Sequence, residues 1–197
     1  MKIYTIKITL RGVSPMVWRR LRISGDTTLA TLHYIIQIAN IWDDCHLHQF
    51  HIYGQNYRIP RACGMEGEDA KVFSIDDFEF DVGDRFTYEY NFYQFYLFDI
   101  RIEGISINET ASITPFCIGG TGMPDATKSD EYDKKLTLLK SFIAALLKDK
   151  PTPRMLRKLS DQAEALNEVK FNRKRTNRFF RELDPLNPSF DYTISIV

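Results

Sequence analysis

Alternation of apolar and polar positions with a period of two governs the first half of the chain. Ile3, Thr5, Lys7 and Thr9 alternate with Tyr4, Ile6, Ile8 and Leu10, which predicts a strand, and Gly12-Val13-Ser14-Pro15 predicts a turn. Val17–Ile23 alternates Val17, Arg19, Leu21 and Ile23 against Trp18, Arg20 and Arg22, one face mostly apolar and the other mostly basic. Gly25-Asp26-Thr27-Thr28 offers capping side chains just before Leu29, Leu32, Ile35, Ile36 and Ala39, which recur at helical spacing. Strand character returns over Cys45–Tyr53, Gly54-Gln55-Asn56 turns the chain, and Pro60–Ala70 reads as a loop. Two aromatic stretches, Arg85–Phe92 and Tyr96–Ile107, predict an antiparallel pair, and Pro115–Asp125, rich in glycine and proline, predicts a loop.

The period then changes. Leu136, Leu139, Ile143 and Leu146 predict an amphipathic helix ended by Lys150-Pro151. Thr152-Pro153 starts a second helix marked by Leu156, Leu159, Ala163 and Leu166, since proline suits the first helical position. Asn172–Leu183 predicts a third helix, and Phe190–Val197 a final strand. The expected class is α+β: a mixed or antiparallel sheet with an N-terminal β-β-α-β unit, followed by a C-terminal helical region. The expected division is 1–127 for the α+β domain and 128–197 for the helices, packed on the same domain.

At 197 residues, with 44% hydrophobic and 13% aromatic residues, the chain holds an ordinary core without disulfides or metal and is not a disordered polymer. Its three cysteines, Cys45, Cys63 and Cys117, include no Cys-x-x-Cys pair, so a disulfide framework and a four-cysteine zinc site are not expected and reducing cytoplasm is. The first residues lack the apolar block of a signal peptide, and no run approaches a membrane span, so a soluble, non-exported protein without membrane contact is expected.

Charge changes the picture. The 26 Lys and Arg balance the 26 Asp and Glu, which excludes a uniformly basic coat for nucleic acid. Residues 1–133 nevertheless carry 12 bases against 19 acids, and residues 134–197 carry 14 against 7. The acids concentrate between Glu66 and Glu109, where 12 face three bases. Between Lys170 and Arg181 there are six bases and no acids, and Lys170, Lys174, Arg178 and Arg181 form one helical stripe, a candidate contact for the phosphates of a nucleic acid. The bland alternative is a solvated face, or docking against the acidic stretch of the same chain or of a second copy.

Three ordered blocks carry a resemblance: Pro15-Met16-Val17-Trp18-Arg19-Arg20, then Leu29-Ala30-Thr31-Leu32-His33, then Trp42-Asp43-Asp44-Cys45-His46-Leu47-His48-Gln49-Phe50. Together they resemble the plasmid pRiA4b ORF-3-like family, whose members are also met as passenger proteins of bacterial insertion elements. The resemblance implies a compact α+β domain over roughly residues 1–125, associated with mobile elements, and it implies no particular reaction. Where members typically carry Tyr-Asp-Phe-Gly-Asp-x-Trp-x-His, this chain has Tyr90-Asn91-Phe92-Tyr93-Gln94-Phe95-Tyr96-Leu97-Phe98. Its two acids, glycine, tryptophan and histidine are all replaced.

The candidate chemistry is modest. All four histidines lie between His33 and His51. On a regular strand His46 and His48 share a face about 7 Å apart, and His33 on the preceding helix lies within swing, so His46, His48 and His33 are candidate ligands of a divalent metal. His51 points to the other face. The bland alternative places His48 and Phe50 in the core. Cys45 adjoins His46 but on a strand faces away from it, and Cys117 precedes Gly119-Gly120, which offers either a turn or a backbone cradle for an anion. Trp18, Arg20 and Arg22 form a candidate face for an anionic ligand or partner, with arginine stacked on indole. The expectation is a non-catalytic binding or interaction module; a nucleic-acid-binding accessory protein using the helix at 170–181, and a metal-dependent enzyme centred on His46 and His48, are the alternatives. Self-association through a sheet edge stays open.

Overall fold

The period-two segments of the first half become strands of one eight-stranded sheet. The computed structural model describes residues 1–42, 44–60, 66–107, 113–124 and 171–181. Its strands are β1 (Lys2–Leu10), β2 (Trp18–Ser24), β3 (His48–Ile52), β4 (Gln55–Arg58), β5 (Glu68–Asp69), β6 (Arg85–Tyr90), β7 (Tyr96–Ile107) and β8 (Phe116–Thr121). Helix α1 (Leu29–Asn40) lies between β2 and β3, a turn of 3-10 helix spans Ile75–Phe78, and α2 (Arg173–Phe180) follows β8. The spatial order is β5-β4-β3-β6-β7-β1-β2-β8, antiparallel except for β4 with β5.

By contact the chain divides into two units. Met1–Thr121 with Asn172–Val197 forms one and Gly122–Phe171 the other. The expected boundary at 127/128, the helices expected over 136–146 and 156–166, the strand expected over 190–197, Cys63 and Lys170 lie outside the described residues.

The first unit's core lies between one face of the sheet and α1. Tyr4, Ile6, Ile8, Leu21, Ile23, Phe50, Tyr88, Phe98, Ile100 and Ile102 are at most 1% exposed, and so are Leu29, Leu32, Ile35, Ile36 and Ala39 of α1. Helix α1 starts at Thr28, whose side chain accepts from the Thr31 N–H, and ends at Ile41 in the left-handed region. Two further N–H groups of its first turn are also taken: Leu29 donates to Phe73 O and Ala30 to Ala70 O. The 70–73 segment thus covers the start of α1, and a helix whose spacing predicts one buried stripe is buried nearly all round.

The structure overturns two loop expectations: the short strand β5 lies within the expected loop 60–70, where it pairs with β4, and a longer strand lies within 115–125. The glycine-rich stretch at 115–125 contains β8, which pairs with β2 as Trp18↔Thr121, Arg19↔Gly120 and Arg20↔Gly119. A glycine run reads as a turn because it lacks side chains. Here the run pairs as strand backbone and Trp18 packs over it, its indole 3.6 Å from where a Cβ on Gly119 would stand, an ordinary contact. Gly119-Gly120 is therefore ladder backbone and no anion cradle. Cys117 beside it is buried, and burial pushes its thiol up to about 11, the opposite of an activated nucleophile.

Candidate functional site

The two faces of the sheet carry different chemistry. On the outer face, alternation puts Lys7 of β1, Trp18, Arg20 and Arg22 of β2, Arg85 of β6 and Arg101 of β7 on the side away from the core. The register then lines up four cations: Arg85 is opposite Arg101, Arg101 opposite Lys7, and Lys7 opposite Arg20. Four adjacent strands about 4.8 Å apart thus present a continuous basic row about 14 Å long. Like charges directly opposite each other destabilise a sheet, so the row works against folding. Glu103 sits within it, bonded to Arg20 at 2.5 and 3.2 Å, and the cations Arg20, Lys7 and Arg101 hold its carboxyl below the usual range.

Trp18 stands at one end of this row. The Arg20 guanidinium lies 5.2 Å from the indole centroid and the Lys7 ammonium 5.4 Å, while Arg22 lies 5.2 Å from the ring of Phe116. Beyond β2, the edge strand β8 is bordered by α2. The Asn177 side chain bonds both N–H and C=O of Cys117, at 2.6 and 3.0 Å, and Arg173 donates to Ile118 O. Asn172 caps α2, as the helix expected over 172–183 requires, and Lys174, Arg178 and Arg181 are exposed.

The inner face holds the histidines. His33 of α1 is fully buried and stacks on His48 of β3, with ring centroids 3.6 Å apart and planes inclined by 16°. His33 Nε2 lies 2.8 Å from Asp44 Oδ1, and Nδ1 lies 2.8 Å from the Tyr88 hydroxyl. Gln37 Nε2 donates to that hydroxyl at 3.0 Å, and Gln37 Oε1 accepts from the Asp44 N–H at 3.2 Å. One proton arrangement closes this circuit. His33 donates from Nε2 to Asp44, Tyr88 donates to His33 Nδ1, Gln37 donates to Tyr88, and the Asp44 backbone donates to Gln37.

The grouping differs from the sequence expectation. His46 lies ahead of β3, exposed, its ring edge-on to Tyr90 at 5.7 Å, and the strand begins only at His48. Asp44, in the left-handed region at φ 54°, bends the connection so that Cys45 and His46 face outward while its own carboxylate reaches His33. The converging donors are therefore His33, Asp44 and His48, whose ligand atoms all lie within 4.8 Å of one another. His51 is exposed and bonds Asn56 at 2.9 Å. Lys7, Arg85 and Arg101 escape sequence reading as site residues because only the register aligns them with Arg20.

The replaced family block runs from the end of β6 through a hairpin turn at 91–95 into the start of β7. Asn91 and Phe95 adopt positive φ, the Asn91 N–H bonds Leu47 O, and Asn91 Oδ1 accepts from the Gln94 N–H at 3.3 Å. Asparagine keeps the left-handed geometry that aspartate also tolerates.

An eight-stranded mixed sheet carrying a helix over its buried face, with a basic outer face, defines an α+β sheet domain. The chain belongs to the plasmid pRiA4b ORF-3-like protein family, whose model matches residues 2–145. It is 31% identical over 100 residues to the uncharacterized protein y4hQ of Sinorhizobium fredii, a match that covers 50% of this chain and 52% of that relative, so about half the relative's length is spanned. The crystal structure of MM3350, a protein of unknown function from Methanosarcina mazei Go1, shares the fold with a TM-score of 0.60 at 23% identity, over 96% of this chain and 98% of that one. No helix among the described residues is long and apolar enough to cross a membrane.

Proposed function

We propose that the chain is a non-catalytic binding module for single-stranded nucleic acid, with the outer face of the sheet as its platform. The row Arg85–Arg101–Lys7–Arg20 carries this reading, because its four cations outnumber the Glu103 carboxylate bonded among them and leave positive charge for an anion. Single strands fit better than duplex. The face is a sheet with Trp18 and Phe116 among its cations, which suits phosphates on the row and bases on the rings. The exposed basic residues of α2, the helix that borders β8, offer a second cationic surface. Such a module suits an accessory role beside a mobile element, acting in the cytoplasm, where Cys45 and Cys117, which form no disulfide, stay reduced.

The test is fluorescence anisotropy of a labelled single-stranded oligonucleotide over a salt series. Binding should weaken with added salt, with log affinity falling by about 0.7 per log unit of salt for each phosphate engaged. Lys7→Ala with Arg101→Ala should lower that slope by about 1.4, and Trp18→Ala should weaken binding roughly tenfold at every salt concentration. Failure to bind at low salt overturns the proposal. Binding that survives these changes but is lost with Lys174→Ala and Arg178→Ala moves the site to α2.

A further inference from the structure

The buried histidine cluster lies on the opposite face of the sheet from the basic row and carries an inference independent of it. We propose that His33, Asp44 and His48 form a binding site for one divalent transition-metal ion of the zinc type, which clamps the connection between α1 and β3. Two imidazoles and one carboxylate are the donor set that zinc takes where three protein ligands leave a fourth position to water. Their ligand atoms already lie within 4.8 Å of one another. The carboxylate is aimed at a ring nitrogen, with His33 Nε2 2.8 Å from Asp44 Oδ1.

The surroundings are built as metal ligands require. Tyr88 holds Nδ1 of His33 at 2.8 Å and fixes the ring orientation from behind, the arrangement that orients a ligating imidazole. Gln37 fixes both Tyr88 and the Asp44 backbone. Helix α1, the connection and β3 each supply one donor, so an ion joins three parts of the chain at a single point.

Entry of the ion exchanges one bond for three. The His33 proton shifts from Nε2 to Nδ1 and none is released: the ion takes the Nε2 position facing Asp44, and the neutral ring donates from Nδ1 to the Tyr88 oxygen, whose own hydrogen turns away. Zinc bonds of about 2.0–2.1 Å at a tetrahedral angle hold two ligand atoms about 3.4 Å apart, so the Nε2–Oδ1 separation opens by about 0.6 Å. The stacked rings splay as His48 brings a nitrogen to the ion. Because the ligands must be deprotonated, affinity falls as pH is lowered.

The experiment titrates Zn2+ into purified full-length protein against a chromophoric chelator, then substitutes Co2+ to read its visible ligand-field bands. One ion per chain is expected, with bands of a low-coordinate site. Asp44→Asn keeps an oxygen to accept from His33 while removing the carboxylate, and it should weaken zinc at least tenfold, as should His48→Ala. His46→Ala and His51→Ala, both at exposed positions, should leave affinity unchanged. Circular dichroism confirms that each variant is folded. The inference is overturned if the wild-type chain takes up no stoichiometric zinc, if the Asp44→Asn and His48→Ala variants bind it as tightly as wild type, or if uptake disappears with His46→Ala and His51→Ala instead.

Discussion

Arg19 shows how a single residue reconciles charge with a core. It stands on the apolar face of β2, 1% exposed, and burial lowers its guanidinium to about 10. Its Nε donates to Ala39 O in the last turn of α1 at 2.7 Å, and Nη1 donates to Trp18 O and Thr121 O at 2.9 Å each. One planar fork thus ties β2, β8 and the negative end of α1 together, which the single ammonium of lysine does not reproduce. Arg19→Met keeps most of the volume but strands three carbonyls, and should cost about 2–4 kcal/mol by urea denaturation, with Arg19→Lys intermediate. Cys117 gives a second prediction. With the folded thiol raised from 9.0 to about 11, iodoacetamide at pH 8 should label the exposed Cys45 and spare Cys117 until urea is added, read by peptide mass spectrometry. The sign for stability follows from the same shift. Above pH 9 the unfolded thiol ionises while the folded one keeps its proton, so the contribution of burying it is intact below pH 9 and declines toward pH 11. Cys117→Ala should flatten the fall in urea midpoint over that window.

Among the elements, the β6–β7 hairpin explains a sequence departure that otherwise reads as lost chemistry. Asn91 is 5% exposed at φ 53°, and its carbonyl oxygen accepts from the Gln94 N–H, so the position asks for left-handed geometry and a short polar side chain. Asn91→Ala should destabilise the protein by about 1–2 kcal/mol, and Asn91→Asp, the residue typical of the family, should change the urea midpoint little. Equal losses in both variants would show that the turn geometry is not what selects the residue. Elements were legible where local chemistry sets them: Thr28 caps α1, and alternation separates Trp18, Arg20 and Arg22 from Arg19, Leu21 and Ile23. The strand β8 was not, because Gly119 and Gly120 take their structure from pairing with Arg20 and Arg19 and carry no pattern of their own. The start of β3 was missed for a related reason. A left-handed Asp44 ends the regular alternation that would have paired His46 with His48.

For the whole molecule, the neutral net charge hides a spatial segregation that the salt-dependent binding experiment reads directly. Sequence halves show an acidic first part and a basic second part, yet the basic row lies in the first part, from residues 7, 20, 85 and 101. Each is an ordinary surface cation on its own strand, and only the order β6-β7-β1-β2 with its register makes them neighbours. Asp44 is likewise an acid before a histidine pair until α1 packs on the sheet and brings His33 over β3. By itself, then, the sequence determined what depends on near neighbours: strands from alternation, α1 from its cap and period, the α+β class, and the family from three ordered blocks. The tertiary structure alone decided which cations align and which donors meet, because both depend on strand order, register and helix packing between residues up to 94 positions apart, as Lys7 and Arg101 are.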